Sequence, residues 1–162
     1  VFPMRSGPSG GAVAAVTFLL LPAAVILVAG LFVHRFEWPS LAVALLVLVG
    51  AGASVVAARR TSAFLICSVD TVIVGFAPFW RTTLRARAIS AVDVIEVDAF
   101  AEYGGWGIKG GAREERGRLY SAGGRHAVRL WMLDGRTFVV AFSDRSEAER
   151  ARTAVAGLLE ST

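Results

Sequence analysis

The sequence predicts a membrane α-helical hairpin joined to a mainly β soluble domain that ends in a helix. Three observations predict this class. Between Gly11 and Ala58 the only ionisable side chains are His34, Arg35 and Glu37, and they sit in one short cluster. From Thr61 onward the apolar residues fall into short β-like runs separated by turn residues. After Phe142 the apolar spacing becomes helical. Across the whole chain of 162 residues the hydrophobic fraction is 55% and the charged fraction 19%, below the roughly 25% common in soluble domains. The mean hydropathy is +0.59.

The elements follow in order. Residues 1–10 read as an amino-terminal tail. The run Gly11 to Val33 carries no charge; as a helix it would cover roughly 34 Å, against about 30 Å for a bilayer core. Pro22 lies inside it, which a membrane helix tolerates with a kink. It is longer than the h-region of a signal peptide, about 7–15 residues. Residues 34–40 form a short connection in which Pro39 and Ser40 favour entry into the next helix. The run Leu41 to Ala58 would cover roughly 27 Å, with Trp38 at the expected interfacial position. The helices would then be antiparallel. Gly50-Ala51-Gly52-Ala53-Ser54 has two readings, close helix approach or a general abundance of small residues. Arg5 before the first span and Arg59 and Arg60 after the second place both termini on the cytoplasmic side of the inner membrane, a multi-pass location.

Residues 59–162 form the soluble domain. Phe64–Ser68, Thr71–Ala77, the run from Phe79 to Arg87 and Ile89 to Phe100 read as strands. Arg81, Thr83, Arg85 and Arg87 share one strand parity, because side chains alternate along a strand. Ala127–Leu133 and Arg136–Phe142 flank Asp134-Gly135, a strong hairpin signal. Ser143 or Asp144 can cap the last helix, with Glu147 in its first turn. Ala148, Ala151, Val155, Leu158 and Leu159 recur at helical spacing. The sum is six or seven antiparallel strands and one closing helix.

This order of segments resembles bacterial membrane proteins in which a pleckstrin-homology-like (PH-like) domain follows a two-helix hairpin. The resemblance is carried by Tyr103-Gly104-Gly105-Trp106-Gly107-Ile108-Lys109, by Leu133-Asp134-Gly135-Arg136, and by the terminal helix. It implies an antiparallel PH-like barrel or sandwich closed by the C-terminal helix, and a membrane setting. It implies no reaction and no phosphoinositide site, since no headgroup-binding motif is present to carry over.

Chemistry-bearing patterns are sparse. The formal net charge is +4 and the pI about 10.2, yet Arg59 to Thr162 holds fifteen basic against twelve acidic side chains. That near balance gives no nucleic-acid footprint. Lys occurs once, at Lys109, with Arg supplying the other cations, a composition typical of GC-rich, bacterial sources. A single cysteine, Cys67, excludes an internal disulfide and a CxxC metal site, and its apolar neighbours mark it as core filler. Gly105-Trp106-Gly107-Ile108-Lys109-Gly110 matches the letters of a dinucleotide fingerprint but lacks the surrounding βαβ unit; the bland reading is turn backbone with Trp106 covering the core. Asp93 is opposite in parity to Glu96 and Asp98, so no acid pair with defined spacing emerges. No catalytic residue, metal ligand or cofactor is assigned.

The residues left as candidates for lipid or partner contact are Arg81, Arg85, Arg87, Trp106 and Lys109. The leading functional expectation is a non-enzymatic, membrane-anchored binding or scaffold module whose β domain meets a protein partner. The second is sensing of anionic lipid headgroups at the bilayer through the arginine face. An enzyme with dispersed groups ranks last; a deep polar pocket joining Asp98, Glu102 and His126 would raise it. Self-association into a homo-oligomer stays open.

Overall fold

The computed structural model describes residues 2–6, 45–46, 49–50, 52–53, 56 and 60–161. The chain divides into two compact units, Val1–Ser9 with Arg60–Thr162, and Gly10–Arg59.

In the larger unit, two sheets face each other. The first is a four-stranded antiparallel meander in the order β1 (Phe2–Ser6), β2 (Ser62–Cys67), β3 (Thr71–Ala77) and β4 (Trp80–Arg85). β2 and β3 are rich in β-branched and aromatic residues, which fit a pleated surface. The pairing of Ser6 with Ala63 brings the residues expected as an N-terminal tail into the sheet as a strand. It also means that the chain leaves and re-enters at one end of the β1–β2 pair, so the unit Gly10–Arg59 is an insertion between adjacent strands.

The second sheet has five strands in the order β5 (Ile89–Glu96), β8 (His126–Met132), β9 (Thr137–Phe142), β7 (Arg118–Ser121) and β6 (Gly107–Lys109). β7 and β9 run parallel; the other pairs are antiparallel. The expected β8–β9 hairpin is present. Gly135 N–H donates to the Met132 carbonyl (3.0 Å), and the Asp134 carboxylate accepts from Arg136 N–H (3.1 Å) and Nε (2.7 Å). The C-terminal helix α2 (Arg145–Glu160) is capped by Asp144, which accepts from Ser146 N–H at 3.0 Å. Its buried residues Ala148, Ala151 and Val155 pack toward β5, β8 and β9.

Inward residues of both sheets and of α2 form one core, including Leu65, Val72, Val74, Leu84, Tyr120, Val128, Leu130, Phe138, Val140 and Phe142. A second cluster (Val97, Ala99, Leu119, Ala127, Val139 and Ala141) covers the opposite face of the five-stranded sheet. β9 is therefore buried along its whole length, which explains its unbroken apolar run where a half-exposed strand would alternate. Cys67 is buried on β2, and burial pushes its thiol up to about 11. Only the thiolate is a good nucleophile. A maleimide or iodoacetamide probe at pH 7.5 is thus expected to label Cys67 only after denaturation; rapid labelling of the native chain would contradict this burial.

Two expectations are corrected. The first is the antiparallel PH-like barrel or sandwich. The sheets do not close, because β4 and β5 are consecutive yet unpaired. A single 3-10 turn, Ala86–Ala88, carries the chain from the edge of one sheet to the edge of the other, whereas a barrel needs every edge paired. The fold is a two-sheet α/β sandwich, and the parallel β7–β9 pair breaks the all-antiparallel expectation.

The second correction concerns the membrane hairpin. Among the described residues no helix is long and apolar enough to cross a membrane. The helices α1 (Ala99–Tyr103) and α2 have five and sixteen residues. At 1.5 Å per residue α2 covers only about 24 Å, and it carries Arg145, Glu147, Glu149, Arg150, Arg152 and Glu160. The assignments of transmembrane helices, an integral membrane protein and a multi-pass inner-membrane location with cytoplasmic termini are therefore not retained. The runs 11–33 and 41–58 and the connection 34–40 lie outside the described residues, apart from helical positions 45, 46, 49, 50, 52, 53 and 56.

Candidate binding surface

β4 is the best-defined surface feature. Leu84 is buried and Thr82 half-buried, while Arg81, Thr83 and Arg85 are exposed. The inward side is tied to the other sheet by Thr82 Oγ1 and Tyr120 OH, 2.9 Å apart, and by Leu84 in the core. Alternation then forces Arg81, Thr83 and Arg85 outward together. The strand hydrogen-bonds to β3, and among the described residues no strand pairs with its other edge.

The aromatic pair before the arginines adds to the strip. Phe79 and Trp80 are 70% and 52% exposed, large values for side chains of this size. Trp80 has the inward parity of Thr82 and Leu84 but protrudes at the end of the strand. Residues 71–92 contain three arginines and no carboxylate. Among the described residues, none of Arg81, Arg85 and Arg87 takes part in an ion pair. The segment thus presents positive charge along an open strand, with Asp70, whose carbonyl accepts from Ala86 N–H at 2.8 Å, as the neighbouring acid at its Arg85 end.

Arg87 departs from the expected row. Two-residue alternation would place it beside Arg85, but the chain turns at Ala86–Ala88, and Arg87 is exposed on that turn. Sequence reading grouped the arginines correctly as far as Arg85 and passed over Phe79-Trp80. The available signal was an aromatic pair directly after Pro78 and directly before the arginine row.

Lys109 lies on β6 of the other sheet and Trp106 in the bend directly before that strand. Asp98 caps α1, accepting from Phe100 and Ala101 N–H (both 3.0 Å), and Glu102 Oε1 accepts from Asp98 N–H (2.8 Å). These backbone hydrogen bonds hold the Asp98 carboxyl below its ordinary range. An acid considered for chemistry is thus a helix cap, and the sequence signal for it was Asp98 itself, a preferred N-cap residue directly before Ala99. Gly104, at φ 73°, ends α1 in the left-handed conformation that glycine adopts without steric cost, its N–H donating to the Phe100 carbonyl at 3.1 Å. The chain then folds back so that Trp106 meets Phe100 edge-on, with centroids 4.8 Å apart and planes at 76°. Trp106, Tyr103 and Ile95 pack on the second apolar cluster. Trp106 is a cover for the sheet, and Lys109 is half-buried on β6 opposite Leu119. The glycine-rich letters run into a strand and a further turn, which is not the strand-to-helix setting of a phosphate-binding loop.

Behind this loop lies an open cleft of about 330 Å³ lined by Glu102, Tyr103, Gly110, Glu114, Glu115 and Arg116. Three of its polar residues, Glu102, Tyr103 and Arg116, hold the loop. The Tyr103 hydroxyl donates to the Arg116 carbonyl (2.5 Å), and the Arg116 guanidinium donates to the Glu102 carbonyl. Burial pushes the Tyr103 hydroxyl above its ordinary range. Asp98 and His126 do not line the cleft; His126 opens β8 with Nδ1 3.9 Å from Glu96 Oε1. Asp93 and Glu96 stand on opposite faces of β5, opposite Arg129 and His126 respectively. Among the described residues no group of His, Cys, Asp and Glu is arranged to hold a metal ion.

The geometry thus separates the five candidates. Arg81 and Arg85 share an exposed strand face, Arg87 stands on the turn that follows, and Trp106 and Lys109 belong to the cover of the other sheet. No family model matches the chain, and no curated protein matches it in sequence.

Proposed function

We propose that this domain is a non-enzymatic binding or scaffold module that contacts a protein partner through β4. The observation that carries this reading is the conjunction of an open edge, two outward arginines and the exposed Trp80 on one strand, with the exposed Phe79 in the turn directly before it. Aromatic and arginine side chains are enriched at protein interfaces because each combines a large apolar contact with a polar or charged end. An open backbone edge is also a feature that a polypeptide, unlike a headgroup, matches along its length.

The test is binding of fluorescein-labelled poly-L-glutamate to the full chain, followed by anisotropy at low and moderate salt. The double variant Arg81→Glu/Arg85→Glu is expected to weaken binding at least tenfold. The variant Arg145→Glu/Arg152→Glu on α2 changes net charge equally and is expected to bind like the parent. Equal loss in both would reduce the interaction to net charge and sink the reading, as would absence of binding. Binding to anionic phosphatidylserine vesicles but not to the polypeptide, lost in the β4 variant, would replace a protein partner by lipid headgroups.

A further inference from the structure

Resting on that reading, we infer that β4 accepts an added strand from its partner, and that the incoming segment alternates acidic and apolar residues. Among the described residues four strands lie at sheet edges, β1 and β4 in one sheet, β5 and β6 in the other. Three of them carry features that discourage further pairing. β1 contains Pro3, which has no N–H to donate. β6 is only three residues long. β5 has a break in register between Ile89 and Ala91 and carries Asp93 and Glu96. β4 shares only the charges, as Arg81 and Arg85, and has no proline and no break in register. It is six residues long, and its register against β3 runs without interruption from Thr71 opposite Arg85 to Phe76 opposite Trp80. Alternate N–H and C=O groups of such a strand point away from β3.

Charge decides what the edge selects. If two copies paired antiparallel about Thr83, Arg81 would face Arg85 of the second copy, twice over. Like charges directly opposite are destabilising across a strand pair, and opposite charges are stabilising. The arginines therefore oppose that symmetric self-pairing and favour an acidic strand at the same positions. Parity supplies the rest. An added strand continues the two faces of β4, so residues of one parity meet Arg81, Thr83 and Arg85. Those of the other parity lie in line with Trp80, Thr82 and Leu84. The complementary segment is acidic at one parity and apolar at the other, with an apolar side chain against the exposed Trp80 ring.

The experiment uses the full chain and an eight-residue peptide of four Glu-Val repeats. Two isomers are methylated on the backbone nitrogen, one at every Glu and one at every Val. In a strand, successive N–H groups point to opposite edges, so only one isomer loses the hydrogen bonds to β4. The parent peptide is expected to bind. One isomer is expected to bind at least tenfold more weakly and the other within about twofold of the parent, with β4 amides protected from hydrogen exchange by the peptides that bind. Equal binding by both isomers would overturn strand addition while leaving a charge-guided contact intact. Binding of poly-L-glutamate without binding of the peptide would overturn it too. Failure of both probes would remove the contact reading itself.

Discussion

Phe142→Ala is expected to destabilise the domain by about 3–5 kcal/mol, the range for truncating a fully buried phenylalanine. Phe142 ends β9 and has no exposed surface. It lies in the core shared by both sheets and α2, so the void would be walled by rigid neighbours with little room to collapse. Small domains hold only about 5–15 kcal/mol in total, so the variant would be near its unfolding threshold at room temperature. The check is a urea titration of parent and variant, in which the midpoint should fall sharply. Phe79→Ala is the control. Phe79 is 70% exposed, and its loss is expected to change stability by no more than about 0.5 kcal/mol. Comparable losses in the two variants would contradict the core described above.

Gly75→Ala is expected to cost nearly as much as Gly75→Val, about 1–3 kcal/mol or more in each case. The position lies in the middle of β3, where the strand preferences of β-branched residues would by themselves favour Val. The structure reverses that expectation. A Cβ at Gly75 would collide with the Trp80 carbonyl oxygen and would sit 2.6 Å from Phe64 Cζ and 3.0 Å from the Arg81 Cα. Two of these obstacles are backbone atoms of β4, which cannot yield without moving the strand. Because the first carbon already clashes, the two variants should behave alike, which distinguishes a close backbone approach from a simple excess of volume. Thermal unfolding of the three proteins provides the measurement. Since Gly75 pairs with Arg81, the folded fraction of either variant is also expected to bind the acidic probe more weakly. A neutral Gly75→Ala would rule out the close approach.

How much was legible varied with the range of the interaction involved. The β8–β9 hairpin was legible because Asp134-Gly135 is local turn chemistry. So was α2, because its cap and its Ala148, Ala151 and Val155 stripe follow within a few residues of one another. The outward row of Arg81, Thr83 and Arg85 was legible because alternation is a property of a single strand; it failed at Arg87, where one turn of 3-10 helix interrupted the period. Of the two sequence readings of Trp106, cover and contact residue, its packing on Phe100 and the second apolar cluster matches the cover. The barrel expectation failed because closure depends on β4 and β5 finding one another, and no short-range pattern reports that. The β1–β2 pairing was invisible for the same reason, its two strands being separated by residues 7–61. The membrane hairpin rested on the length and polarity of two runs, which the described helices do not supply.

By itself the sequence determined several local units of this protein: the β8–β9 turn, the alternation of Arg81, Thr83 and Arg85 along one strand, and the helix that closes the chain, while β1 was read as a tail and the start of α1 as strand. The tertiary structure alone decided how those units pair. It divided nine described strands between two unclosed sheets, buried β9 on both faces and assigned Trp106 to the sheet cover. It also left β4 as an uninterrupted edge. The physical reason is that periodicity and turn chemistry act over a few residues. Strand partnership is set by long-range burial and backbone hydrogen bonding, which exist only once distant segments have met.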